Sequence, residues 1–201
     1  MFFLDKSMYM KLPEYKAVAI SQKNIVGGSS RPCILEVENE KGESQGFYVV
    51  KIFKNESENN NSTLNEALTW ALCKEFELKT PKAALVYVDD LFLQQLGKVD
   101  NEAGCYFGTQ LLAETIEINL NKLEIYELEN IFAFDLFVHN TDRRNNNPNL
   151  LLIKDEVYLI DHEKAFANTE TNDEKSHQEC CQHITQNSSN SHICYAKLKK
   201  K

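Results

Sequence analysis

Phe134-Asp135-Leu136-Phe137-Val138-His139-Asn140-Thr141-Asp142-Arg143-Arg144-Asn145-Asn146-Asn147-Pro148-Asn149-Leu150-Leu151-Leu152-Ile153, followed closely by Tyr158-Leu159-Ile160-Asp161, is the stretch whose reading decides the fold. An apolar segment runs into a polar loop rich in Asp, Arg and Asn. A short apolar strand follows, then a two-residue turn at Asp155-Glu156, a second strand and a further Asp. A hairpin of this kind puts Asp142 and Asn147 near the start of its first strand and Asp161 just past the end of its second. Those two ends lie side by side, so two carboxylates and a carboxamide converge. Oxygen ligands of this type suit a hard divalent cation such as Mg²⁺ together with phosphate oxygens. In phosphoryl transfer an Asp takes up the acceptor hydroxyl while an Asn and a second Asp hold metal, and D-x-x-x-x-N, an apolar hairpin and then D has that arrangement. An Asn-rich surface loop before a plain hairpin is the alternative reading of the same residues.

Asn140-Thr141-Asp142-Arg143-x-x-x-Asn147-Pro148-Asn149-Leu150-Leu151, with Leu159-Ile160-Asp161-His162-Glu163-x-Ala165-Phe166, resembles the catalytic core of HipA-like protein kinases. It is more distantly similar to the phosphatidylinositol kinases, which share an Asp-Arg loop and an Ile-Asp-x-x-x-Ala-Phe-like segment. The resemblance covers about residues 16–166 and is tightest over 139–166. It implies an α+β, two-lobed protein-kinase-like fold with a small antiparallel-sheet N-lobe carrying one helix and a reduced, mainly helical C-lobe. The expected divisions are residues 1–112 for the N-lobe and hinge, 113–167 for the C-lobe and 168–201 for a polar tail. It further implies ATP and Mg²⁺ as cofactors, Asp142 and Asn147 as catalytic residues, and Asn147 and Asp161 as metal ligands. Serine/threonine phosphorylation of a protein substrate, as the toxin half of a bacterial toxin–antitoxin pair with an antitoxin protein as partner, comes with the family. Two departures stand out. The metal segment reads Asp161-His162-Glu163 where many kinases have Asp-Phe-Gly, and the sequence ends at Lys201, short of the larger helical lobe such kinases carry. A nucleotide-binding module without turnover and a lipid kinase are the alternative functions.

Composition limits the partners. The 201 residues carry a formal charge of −8, with 22 Lys and Arg against 30 Asp and Glu. The arginines are confined to positions 31, 143 and 144, so no basic face for tracking nucleic-acid phosphates is expected. The acidic balance and the lack of a basic amphipathic helix also disfavour an anionic membrane surface. No apolar run approaches the roughly 18 residues of a membrane span. The six cysteines show no framework spacing, which points to reduced thiols in a cytoplasmic protein.

In the first half, Ala17-Val18-Ala19-Ile20 and Cys33-Ile34-Leu35-Glu36-Val37 read as strands. The small-residue turn between them, Gly27-Gly28-Ser29-Ser30, is either a hairpin turn or an anion nest. By resemblance Ser29 and Ser30 cover the nucleotide. Gly46 to Phe53 is the strongest strand, with Tyr48, Val50 and Ile52 on one face and Lys51 among apolar residues on the other. Lys51 either snorkels at a sheet edge or, as the strand-borne lysine of protein kinases does, holds phosphates. A helix is expected from Ser62 or Thr63, with Leu64, Ala67, Leu68, Ala71, Leu72 and Phe76 on its apolar stripe. Glu66 has two readings there: the N3 residue of a Thr63-x-x-Glu66 capping box, or by resemblance the partner of Lys51. Ala83 to Val88 and Cys105 to Leu112 read as further strands. Order and resemblance make the end of the second a hinge, with Gln110, Leu111 and Leu112 contacting adenine.

Helical spacing continues from Leu123 to Val138, apolar on most sides, as befits a buried central helix. Residues 168–192 hold almost nothing apolar besides Ile184. His177, Cys180, Cys181 and His183 are zinc-type ligands in no recognised spacing, and a loose tail is the expectation.

Overall fold

Tyr48, Val50 and Ile52 are 3%, 0% and 2% exposed, while Phe47 before them is 40% exposed and Val49 and Lys51 between them are only partly buried. That alternation is the period of a strand with one face in a core. The computed structural model of the chain describes residues 11–21, 32–53, 61–118, 125–140, 142–143 and 147–166. In chain order its elements are β1 (Glu14–Ile20), β2 (Cys33–Glu38), β3 (Ser44–Val50), α1 (Ser62–Glu75), β4 (Ala83–Val88), α2 (Asp90–Gln95), β5 (Gly104–Gln110), β6 (Ile116–Glu117), α3 (Ile125–Phe137), β7 (Leu150–Ile153) and β8 (Glu156–Leu159). Ser29, Ser30 and the expected tail at 168–201 lie outside the described residues.

Contacts divide the chain into two units, Met1–Asn60 with Lys82–Leu111 and Asn61–Pro81 with Leu112–Lys201. The first unit is rich in antiparallel pairing, as expected, but its strands close into a barrel of order β1-β2-β3-β5-β4 instead of an open sheet. Closure comes from a parallel pairing of β1 with β4, Glu14 opposite Leu85 and Lys16 opposite Tyr87. Leu35, Val37, Val50, Ala84, Val86 and Val88, all completely buried, fill the interior. Gly108 on β5 permits this packing: a Cβ there would meet Val50 Cγ2 at 3.0 Å and Val86 Cγ2 at 3.2 Å. The short helix α2 is capped by Asp89, whose Oδ1 accepts from the Phe92 N–H at 3.0 Å.

In the second unit, β6, β7 and β8 form an antiparallel sheet, and β6 was not legible as a strand. Its turn is Lys154-Asp155, one residue before the expected Asp155-Glu156. Both residues have positive φ, 47° and 67°, the conformation a two-residue hairpin turn of type I′ requires. Cys73 of α1, Ile131 and Phe134 of α3, Val138 just after it, and Leu150 and Leu159 of the hairpin build the core. By its contacts α1 belongs here, not with the barrel.

The face that α1 buries is not the expected stripe. Leu64, Leu68 and Phe76 are 62%, 44% and 45% exposed, whereas Glu66, Thr69, Trp70 and Cys73 are buried. These four also follow helical spacing, but two are polar; of the expected stripe Leu72 still packs against the core and the Phe76 ring lies 5.3 Å from that of Phe134, so the buried face is rotated from that stripe and overlaps its edge. Trp70 Nε1 donates to Pro81 O at 2.8 Å, fixing that face. The capping box does not form either. Asn61 is the N-cap, without a side-chain cap bond, which frees Glu66 for the interior.

Candidate active site

Helix α3 ends in a way that sets up the loop after it. The Asn140 N–H donates to Asp135 O at 2.8 Å and the His139 N–H to Leu136 O at 3.3 Å. His139 between them has φ 52°. This is the Schellman closure, here with histidine in the left-handed position usually given to glycine. Asn140, fully buried, then ties the loop down: its Nδ2 donates to Asp135 Oδ1 at 3.0 Å and its Oδ1 accepts from the Asp142 N–H at 3.2 Å.

Arg143 does not reach toward Asp142 or outward to solvent. It turns inward, 2% exposed, and its Nε donates to Asp135 Oδ2 at 2.7 Å. Its Nη1 donates to the carbonyls of Pro148 at 2.9 Å and Asn149 at 2.7 Å. Nη2 lies 3.3 Å from His162 Nε2. One guanidinium thus joins α3, both ends of the catalytic-type loop and the segment after β8. Burial pushes the Asp135 carboxyl up from its ordinary value, with Arg143 and then Asn140 opposing the shift.

Asp142 is held at the surface of this scaffold. Asn147 Nδ2 donates to its Oδ2 at 3.2 Å, so these two predicted residues do come together. The Asn147 amide oxygen is thereby directed away from Asp142. Lys164 Nζ occupies the other carboxylate oxygen, 2.9 Å from Oδ1. Asp161 follows the hairpin, whose ends are joined by the Ile160 N–H donating to Asn149 O at 3.1 Å. It has φ 59°, a conformation that costs a non-glycine residue about 1–2 kcal/mol and directs the chain into the turn at 162–165.

Asp161 does not stand alone. Carboxylate oxygens of Glu66, Asp161 and Glu163 lie within 4.8 Å of one another. His162 Nδ1 is 3.9 Å from Glu66 Oε2, and Asn65 Nδ2 donates to Glu163 O at 3.1 Å, fastening α1 to this segment. An all-oxygen set of carboxylates fits a hard divalent cation such as Mg²⁺. Glu163 was read in the sequence only as part of the Asp161-His162-Glu163 departure and not as an oxygen donor; the signal was its i, i+2 spacing from Asp161.

The first unit carries Lys51, Gln110 and Leu111. Lys51 lies one residue past β3 and is partly buried. Gln110 ends β5; its N–H donates to Lys82 O at 2.7 Å, and that of Leu111 to Phe47 O at 2.8 Å, so both amides serve the barrel. Leu112 opens the second segment of the other unit.

The sequence pattern of HipA-like kinases matches residues 18–201, spanning this site and most of the chain. The chain belongs to the HipA-like kinase family. No curated protein matches it. The match takes in both the Asp142–Asn147 pair and the carboxylate cluster of Glu66, Asp161 and Glu163. Among the described residues no helix is long and apolar enough to cross a membrane.

Proposed function

We propose that the protein transfers the γ-phosphoryl group of ATP, with Mg²⁺, to a serine or threonine hydroxyl of a protein. The observation that carries this reading is that the Asp142 carboxylate is fixed by Asn147 on one arm of a hairpin whose other arm delivers Asp161 into a cluster of three carboxylates. Asp142 accepts the hydroxyl proton, a contribution typically of about 10²–10⁴ in rate. Asn147, through its amide oxygen, and Asp161 are the metal ligands, with Glu66 and Glu163 as further oxygen donors. A divalent cation bound there supplies positive charge to the phosphates. Lys51, Ser29 and Ser30 are assigned to phosphates and Leu112 to the base, while Gln110 and Leu111 shape the strand end that presents it. A cytoplasmic toxin neutralised by an antitoxin protein is the setting the family resemblance supports.

Ligand linkage tests the binding half of this reading. ATP at about 100 times its dissociation constant stabilises a protein by roughly 2.7 kcal/mol. For a domain of this size that raises Tm by roughly 5–10 °C. The rise is expected with Mg²⁺, and to be lost with EDTA and in Asp161→Asn. An equal rise in EDTA contradicts the metal assignment.

A further inference from the structure

Lys164 sits where no strand or helix needs it. It projects from the turn after Asp161 with its side chain 50% exposed, yet its ammonium rests 2.9 Å from Asp142 Oδ1, a carboxylate only 14% exposed. Oδ2 of the same carboxylate is held by Asn147. Oδ1 is the oxygen that Asn147 leaves for an acceptor hydroxyl, and in the resting protein a lysine is on it.

We propose that Lys164 is a catalytic residue that moves from Asp142 to the transferred phosphoryl group when acceptor and nucleotide bind. The inference rests on the reading of Asp142 as the proton acceptor. In the transfer step the acceptor oxygen forms its bond to the γ-phosphorus and the bond from phosphorus to the β,γ-bridging oxygen breaks. The bridging oxygen leaves with the electron pair on ADP, and the hydroxyl proton passes to Asp142 Oδ1. Reacting atoms approach to about 3–3.5 Å, so a phosphorus attacked by a hydroxyl bonded to Oδ1 lies within a short swing of an ammonium that starts beside that oxygen. A lysine suits this exchange, being a compact charge on a flexible stem with three donors. Its departure frees the base, and its arrival stabilises charge on the equatorial phosphoryl oxygens.

The test compares wild type, Lys164→Ala and Lys164→Arg for transfer of labelled γ-phosphate from Mg²⁺-ATP to dephosphorylated casein and to the protein itself, with calorimetric binding of ADP and ATP. Losing one donor to a transition state costs about 10²–10³ in turnover. Lys164→Ala is expected to lose about 100-fold in kcat with KM for casein and Kd for ADP unchanged. Lys164→Arg is expected to recover most of the loss. A half-exposed ion pair contributes little to stability, so Tm should barely move. Unchanged or faster transfer by Lys164→Ala overturns the proposal, and so does a parallel loss of ADP affinity. Wild type that neither binds ATP nor transfers label overturns the kinase reading itself, and this proposal with it.

Discussion

Replacing Arg143 by methionine keeps much of its volume and removes every partner that the buried face of Asp135 has from that side chain. Breaking a buried pair by deleting one member costs about 3–5 kcal/mol, since the remaining charge stays out of water. The cost should depend on pH in a defined direction. Burial already raises the Asp135 carboxyl, and Arg143 is the larger of the influences opposing that rise. In Arg143→Met the folded carboxyl rises further above the unfolded value of about 3.9. The folded state then holds a proton the unfolded state has lost, so stability falls as pH increases through the raised value. Urea unfolding should show a deficit of several kcal/mol at pH 7 that shrinks toward pH 4. A deficit that is constant across this range would mean that Asp135 is not the group left stranded. Sequence alone did not reach this role. An Arg after a catalytic-type Asp looks the same whether it points inward or out, and the choice depends on carbonyls supplied by Pro148 and Asn149.

At the scale of elements, strands were legible because alternation is short-ranged: Tyr48, Val50 and Ile52 face one core whatever else the chain does. Helix α1 was placed correctly in sequence, but its buried face is rotated from the expected stripe, of which Leu72 packs against the buried cluster. Its inward face holds Glu66 and Thr69 because it borders a polar site, so the apolar residues Leu64 and Leu68 fall outside. Glycine was a poor guide to turns in the second half, since Gly108 is the last one in the chain. Left-handed positions there fall, among the described residues, on Glu114, His139, Asn149, Lys154, Asp155, Asp161 and Phe166. Each of these costs about 1–2 kcal/mol relative to glycine in the same conformation. The hairpin turn is the place to recover some of it, as Lys154 and Asp155 are exposed. Replacing the pair by Asn-Gly should raise stability by about 1 kcal/mol with the same m-value, measured by urea unfolding. A loss of stability would contradict the turn geometry.

For the whole molecule, the hairpin and its flanking acids could be found from spacing, because a β-turn brings residues near in sequence to one place. The closed barrel could not, since it depends on β1 meeting β4, separated by more than 60 residues, in parallel register. The carboxylate cluster was half legible for the same reason. Asp161 and Glu163 are neighbours in the chain, whereas Glu66 arrives on α1 from about a hundred residues earlier. What these pairings assemble in the second unit is one oxygen-lined cluster, with one carboxylate fixed on the same hairpin's other arm.

Transfer of labelled γ-phosphate from ATP, in wild type and in Asp142→Ala, tests the central claim most directly. With Mg²⁺ present, wild type should form phosphoserine or phosphothreonine, and Asp142→Ala should retain its stabilisation by ATP while transfer falls by about 10²–10⁴. Transfer at the wild-type rate in Asp142→Ala, or stabilisation by ATP with no transfer by wild type, would contradict it.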